Sequence, residues 1–354
     1  MNPAQKINRF FLLAIAPFLG MAIWLGIVNM KLTIPNPPRM AEFQYAAMGD
    51  PVAAKLDSAA TSVGEIRTTV EKYFELYTQS ADAVAQMAKM AAAQIVRPAA
   101  IYDARITGRL GSPRSTVNSG NIRLQLFNLN GGDYNGYALK VDLKSSKAMR
   151  MVLGKDTVGG SETTLSAASR YGAVAGVNAG GFADDNKSGK RYPLSTTMLG
   201  GKYVYGFEPT FDNLTFVGFT ASRQLIGGKF SRQSDLDKLQ PDFGATFVPT
   251  LLQQGKRQTI PDQWLNSPRR APRTVVANYK DGQLLFLVTD GYDERGNSGA
   301  TLPELQDKLI ALGAIDAYNL DGGGSSSLVF NGQVINKPSD GKLRPLPTHF
   351  LFFK

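Results

Sequence analysis

The sequence predicts an α+β fold: a mixed β-sheet with packed helices, preceded by a transmembrane helix and a long helical stalk. Three observations carry this. An apolar run over 10–30 has the length of a bilayer span. Residues 55–96 are rich in Ala, Glu, Lys and Gln and free of Gly-Pro punctuation apart from Gly64, which suits one long helix. Beyond residue 121, short apolar strands and two helical patterns mix without a strict βαβ rhythm.

The elements follow in order. Residues 1–9 form a cytoplasmic N-terminus, because Lys6 and Arg9 precede the apolar run and basic flanks stay inside. Residues 10–30 read as an uncleaved anchor: the run is followed by Asn29-Met30-Lys31-Leu32-Thr33, which lacks a small-x-small cleavage site. Residues 31–54 are a linker stiffened by Pro35, Pro37 and Pro38. The stalk, 55–96, carries a seam with a seven-residue repeat, formed by Leu56, Ala59, Val63, Ile66, Val70, Tyr73, Tyr77, Ser80, Val84, Met87 and Ala91. Such spacing suits either a homodimeric coiled coil or a helix packed on its own domain. Arg97-Pro98 predicts the end of the helix, and 97–121 reads as a polar linker.

The domain over 122–354 opens with strands at Ile122–Phe127 and Tyr137–Leu143 around Gly131-Gly132-Asp133. A helix at Glu162–Tyr171 and a buried strand at Ala173–Val177 follow. Thr274–Tyr279 and Leu284–Thr289 flank Lys280-Asp281-Gly282, a hairpin signal. Leu302–Leu312 is a helix with Thr301 as its N-cap and Pro303 and Glu304 in its first turn. Ala314–Leu320 is a strand, Asn331-Gly332 turns a second hairpin, and His349–Phe352 is a closing strand.

Composition narrows the chemistry. The chain has 354 residues, 43% hydrophobic and 19% charged, a globular profile. It has no cysteine, which excludes disulfides, thiolate metal sites and cysteine nucleophiles. The net charge of +10 resides mainly in the globular part and favours anionic partners, a phosphate-bearing polymer or a membrane surface. No nucleic-acid module is present.

Three glycine-punctuated segments place polar side chains just past apolar strands. In Gly176-Val177-Asn178-Ala179-Gly180-Gly181-Phe182, Asn178 offers a donor and an acceptor to a sugar hydroxyl or phosphate oxygen, and Gly180 and Gly181 permit close backbone approach. Arg273 and Asp290 stand at the open ends of one hairpin, which makes them neighbours. Arg273 suits a phosphate, and a carboxylate beside it stays ionised. In Asn319-Leu320-Asp321-Gly322-Gly323-Gly324-Ser325-Ser326-Ser327, the glycines with Ser325 and Ser326 suit a backbone nest for an anion, with Asp321 at its mouth.

These segments, in this order, resemble the phosphodiester glycosidase family. The likeness rests on 178–182, on Arg273-Thr274 with Asp290-Gly291, on 319–325, and on Pro338-Ser339-Asp340 and Arg344-Pro345. It is strong over about 170–354, with a weaker lead-in from about 120. Gly181 departs from the pattern of the animal members, which carry an aromatic there. The resemblance implies hydrolysis of a sugar 1-phosphodiester, with Asp290 and Asp321 as the carboxylates, Arg273 on the phosphate, and Asn178, Gly180, Gly181, Gly322, Gly323, Gly324, Ser325 and Ser326 around the substrate. It implies no required cofactor. The expected setting is a single-pass cell-membrane protein whose domain faces a sugar-phosphate or anionic polysaccharide outside the cytoplasm.

Three other readings are weighed with it. Asp184-Asp185-Asn186 begins like a Ca²⁺ loop, yet Ser195 stands where the twelfth-position Glu belongs. A serine hydrolase could be ordered Ser325, Asp340, His349, although Ser327 stands where the nucleophile elbow needs Gly. A catalytically silent binder of wall polymer or exopolysaccharide would need only the basic surface.

Overall fold

The computed structural model describes residues 50–210, 213–292 and 297–354. The predicted anchor at 10–30 and most of the 31–54 linker lie outside them. Among the described residues no helix is long and apolar enough to cross a membrane. The chain divides into two units, Met1–Gln86 and Met87–Lys354.

Helix α1 runs Asp50–Leu110. This corrects the predicted stalk end at 96 and the linker at 97–121, which proves to be helix followed by a strand. Pro98 sits inside the helix and forfeits one backbone hydrogen bond. The turns beyond it persist because tertiary contacts outweigh that loss: Ile106 is buried in the core, and Tyr102 and Leu110 pack against it.

The first strands are β1 (Ser115–Asn118), β2 (Ile122–Asn130), β3 (Asn135–Leu143) and β4 (Met149–Leu153). Helix α2 (Thr164–Tyr171) leads to β5 (Ala175–Asn178), β6 (Phe182–Asp185), β7 (Lys190–Pro193), β8 (Met198–Leu199) and β9 (Lys202–Tyr203). Next come β10 (Thr215–Thr220), β11 (Leu225–Gly228), α3 (Gln233–Asp237), β12 (Pro241–Phe247), β13 (Thr250–Gln253), β14 (Lys256–Arg257) and α4 (Asp262–Asn266). The hairpin β15 (Thr274–Asn278) and β16 (Leu284–Thr289) precedes α5 (Leu302–Leu312), β17 (Ala317–Leu320), β18 (Leu328–Phe330), β19 (Gln333–Val334) and β20 (Thr348–Phe352).

Three sheets enclose one core. The largest has the order β1-β2-β3-β16-β15-β17-β13-β14. A second has β11-β10-β12-β8-β9, and a third β19-β18-β5-β20-β4. The expected mixed sheet is antiparallel in every pairing found among the described strands. One face of the large sheet contributes Val276, Phe286 and Leu320. Against them pack Val177, Phe350 and Phe352 of the third sheet and Phe219 and Phe243 of the second. The opposite face buries Val275, Leu285 and Leu287 against Leu302, Leu305, Leu309 and Leu312 of α5. Those leucines recur every three or four residues, one stripe of a helix, and each contributes about 1.5–3 kcal/mol by leaving water. All six residues of β16 are buried because both its faces are covered.

Helix α1 is held to the large sheet by a buried cation. Lys140 on β3 is almost wholly buried and donates to Asp103, to Thr107 Oγ1 at 3.2 Å and to Gln125 Oε1 at 3.1 Å. Arg123 meets the same carboxylate at 2.7 Å. Burial would raise the Asp103 pKa, but the hydrogen bonds from Lys140 and Arg123 hold it below the ordinary carboxylate value. Asp103→Ala is therefore expected to lower stability by about 3 kcal/mol, the scale for stranding a buried partner. The double variant Asp103→Leu, Lys140→Met should lose less than the sum of its single changes. Denaturant unfolding of the wild type, Asp103→Ala, the two single changes and the double variant checks this.

Candidate active site

The three glycine-punctuated segments meet at one end of the large sheet. Thr274, the first residue of β15, lies opposite Val288 of β16 on one side and Leu320 of β17 on the other. The residues just outside those strands, Arg273, Asp290 and Asp321, therefore emerge together. Arg273 N donates to Thr289 Oγ1 at 2.8 Å, and Thr289 N donates to Arg273 O at 2.9 Å. The hairpin geometry expected from sequence is present.

Asn178, at the end of β5 in the third sheet, joins these ends. Its Nδ2 donates to Asp321 O at 2.7 Å. Its Oδ1 accepts from Thr274 Oγ1 at 2.8 Å and from Ser327 N at 3.0 Å. The side chain is fully buried. It was expected to orient substrate directly; the structure instead commits both ends of its amide to protein partners, so it positions Asp321.

The glycines serve close packing. A Cβ on Gly180 would lie 2.5 Å from Ala245 Cβ, and one on Gly181 would lie 2.7 Å from the Phe247 ring. The Phe247 ring thus fills the space beside Gly181. Gly323 N donates to Pro272 O at 2.8 Å, and a Cβ on Gly322 would lie 2.9 Å from that same oxygen. On the other side of Pro272, a Cβ on Gly291 would lie 2.6 Å from the proline ring. Pro272 is the hub between the Asp290-Gly291 and Asp321-Gly322-Gly323 segments.

Two sequence expectations need correction. The glycine-serine segment is not an open nest, because its N–H groups bond within the protein. Gly322 N donates to Asp321 Oδ1 at 3.0 Å and Gly323 N to Pro272 O. Ser325 N donates to Gly322 O at 3.0 Å and Ser326 N to Gly323 O at 3.2 Å, the bonds of a tight 3₁₀ turn. Gly324 abuts the Arg344 guanidinium and the Asp340 carboxylate, which pair with each other at 2.8 Å and 2.9 Å. The Ser325 and Ser326 hydroxyls are buried beneath this turn.

Nor do Arg273 and Asp290 form an ion pair. The Arg273 guanidinium is buried and donates to Ala300 O at 3.3 Å and Pro268 O at 2.7 Å. Burial pushes its pKa down to about 10. These bonds hold the loops at 268 and 300. Asp290 is half-buried. Its Oδ1 accepts from Lys337 N at 2.7 Å, and its own N–H donates to Asn135 O at 2.9 Å. Burial raises its pKa, against the Lys337 N–H and ammonium, which pull it down.

Asp290 opens on a cleft of about 370 Å³, lined also by Asn135, Tyr292, Ser298, Lys337 and Asp133. Tyr292 is largely exposed there. Sequence reasoning missed Lys337, although it immediately precedes the quoted Pro338-Ser339-Asp340.

His349 is fully buried. Its Nε2 lies 3.2 Å from Leu346 O and its Nδ1 3.1 Å from Thr164 Oγ1. A carbonyl can only accept, so Nε2 carries the proton and Nδ1 accepts from Thr164. Burial pushes its pKa down to about 4, so it is neutral. Asp340 is engaged by Arg344. Ser325, Asp340 and His349 do not form a hydrogen-bonded triad. In the segment that begins like a calcium loop, Asp184 pairs with Arg191 at 2.8 Å, and Asp185 accepts from Lys187 N at 3.0 Å and from Ser188. Among the described residues no group of three or more acidic or imidazole side chains is placed to hold a metal.

Comparison with known proteins bears on the same segments. The phosphodiester glycosidase family model matches residues 171–353. The SPbeta prophage-derived protein YomE of Bacillus subtilis (strain 168) is 28% identical over 189 residues, 51% of this chain and 28% of the relative. The N-acetylglucosamine-1-phosphodiester alpha-N-acetylglucosaminidase of Bos taurus is 41% identical over 68 residues, 19% of this chain and 12% of the relative. The chain thus spans less than a third of either curated relative. Among solved structures, the zebrafish N-acetylglucosamine-1-phosphodiester alpha-N-acetylglucosaminidase catalytic domain shares the fold. Its TM-score is 0.52 at 21% identity, covering 69% of this chain and 87% of that one. A hypothetical protein from Synechocystis has a TM-score of 0.50 at 16% identity, covering 69% and 64%.

Proposed function

We propose, on the premise that this chain belongs to the phosphodiester glycosidase family, that it hydrolyses the bond between the anomeric carbon of a sugar and a phosphate. The sugar is released and a phosphomonoester remains. What supports this is the convergence of Asp290 and Asp321 about Pro272 at one end of the large sheet. A pair of carboxylates can supply the acid, base or nucleophile that glycoside cleavage needs. Phosphate leaves readily, so the greater demand is for charge stabilisation at its oxygens. The substrate is a sugar-phosphate linkage of a cell-surface or exported polysaccharide. The domain works outside the cytoplasm on an N-terminal anchor, and the basic balance of the chain favours such an anionic polymer.

Since the Arg273 guanidinium is buried, Lys337 at the Asp290 cleft takes the phosphate. A charged hydrogen bond is worth about 1.5–3 kcal/mol, or about tenfold per 1.4 kcal/mol. Lys337→Gln should therefore lower kcat/KM for a sugar 1-phosphodiester by about ten- to a hundredfold. Action on an aryl glycoside, which has no phosphate, should change little. Steady-state kinetics on both substrates check this. Protein that binds polymer but releases neither sugar nor phosphate from a panel of sugar 1-phosphodiesters would sink the enzymatic reading.

A further inference from the structure

The strongest apolar anomaly lies outside the catalytic domain. Along α1, Leu56, Val63, Ile66, Val70, Tyr73 and Tyr77 are each between 60% and 74% exposed. They recur at alternating intervals of seven, three and four, so they share one side of the helix. Large side chains gathered in one exposed stripe mark a surface that is covered in use.

Charge distribution decides what covers it. Between 56 and 84, Asp57, Glu65, Glu71, Lys72, Glu75 and Asp82 fall on the side away from the stripe. Arg67, at its margin, is drawn outward to Glu71 at 2.9 Å. An identical stripe can therefore meet this one without opposing like charges. A lipid surface suits it less: helices that lie on membranes carry a basic polar face, and here acidic residues outnumber basic ones.

Size points the same way. Residues 56–84 span about 43 Å at 1.5 Å per residue. A strip about 14 Å wide on a helix roughly 10–12 Å across gives on the order of 600 Å² per helix. That approaches the about 800 Å² per partner of a standard interface.

We propose that α1 of one chain pairs with α1 of a second copy, parallel and in register, through the stripe from Leu56 to Val84. In register, Ser80 faces Ser80 and the bulky residues face their equals. In the antiparallel arrangement centred on Val70, Ser80 would instead lie level with Ala59 and Ala60 and lose its like partner. A single polar core position of this kind sets register at some cost in stability.

The chain has no cysteine, so single cysteines report cleanly. Leu56→Cys, Val70→Cys and Val84→Cys occupy equivalent seam positions, whereas Glu75→Cys and Asp82→Cys lie on the far side. Each full-length variant, in detergent micelles at low protein concentration, is oxidised with copper–phenanthroline and run on a non-reducing gel. The expected result is a disulfide-linked dimer for all three seam variants and little for the two controls. Equal cross-linking at all five positions, or at none, overturns the proposal. Cross-linking confined to Val70→Cys, at the midpoint, overturns the parallel register. A silent seam whose cysteines become shielded from a water-soluble maleimide when acidic phospholipid vesicles are added would assign the stripe to a membrane surface instead.

Discussion

Asp290→Asn and Asp321→Asn are each expected to keep the fold, and at least one should lower turnover of a sugar 1-phosphodiester by about a hundredfold or more, the scale for losing a general acid or base. Both changes keep side-chain size and remove the charge. Asp290 N–H and Asp321 N–H donate to carbonyls, bonds that survive the substitution. The two residues differ in a way that pH can read. Burial lifts the Asp290 pKa above the ordinary carboxylate value. If Asp290 works ionised, the acid limb of kcat/KM lies above that ordinary value. If it works protonated, activity survives to a correspondingly higher pH before falling. The Lys337 ammonium pulls this pKa down, so Lys337→Gln moves the Asp290 limb to higher pH in either case. Profiles of the wild type, the two Asn variants and Lys337→Gln separate these outcomes. Full activity in both Asn variants would remove the carboxylates from the mechanism.

The second large effect is on stability. Asn178→Ala removes the partner of Asp321 O, Thr274 Oγ1 and Ser327 N in a fully buried site. Each group left unmet costs about 1–3 kcal/mol, so the loss should reach about 3–5 kcal/mol. Because one of the three groups is the Asp321 carbonyl, the surviving folded protein should also lose turnover. Chemical denaturation measures the first effect, and kinetics well below the unfolding transition measure the second. An Asn178→Ala protein with wild-type stability and a raised KM alone would mean that the amide touches substrate rather than the strand ends.

The parts legible in the sequence are those set by local chemistry. The helix at 302–312 is bounded as its Thr301–Glu304 capping box dictates. The β15–β16 hairpin follows its Asp-Gly turn, and from it the shared position of Arg273 and Asp290 could be read. Where local and tertiary signals conflict, the sequence misleads. Pro98 argues for a helix end, but buried Ile106 and the Asp103–Lys140 pair carry the helix on to Leu110. The second sheet is hard to read because Met198–Leu199 and Lys202–Tyr203 are too short to show any period, while Thr215–Thr220 and Pro241–Phe247 are buried on both faces and so show little alternation. The roles within the site are harder still. Whether a guanidinium faces a phosphate or two carbonyls depends on loops at 268 and 300 that no spacing near Arg273 announces. Asn178 reads as a ligand-facing amide until its partners, 96 to 149 residues away, are known.

The third sheet constrains when the domain can fold. Its penultimate strand in spatial order, β20, is the last to be synthesised, yet it lies between β4 and β5, which are made nearly two hundred residues earlier. Until residue 352 has been made, β4 and β5 each present an unpaired edge, the kind of surface that seeks other chains. Closing a pairing of such long range is entropically slow. A nascent chain therefore cannot complete this sheet until β20 has been made. Throughout that interval the open edges favour association with other chains over completion of the fold.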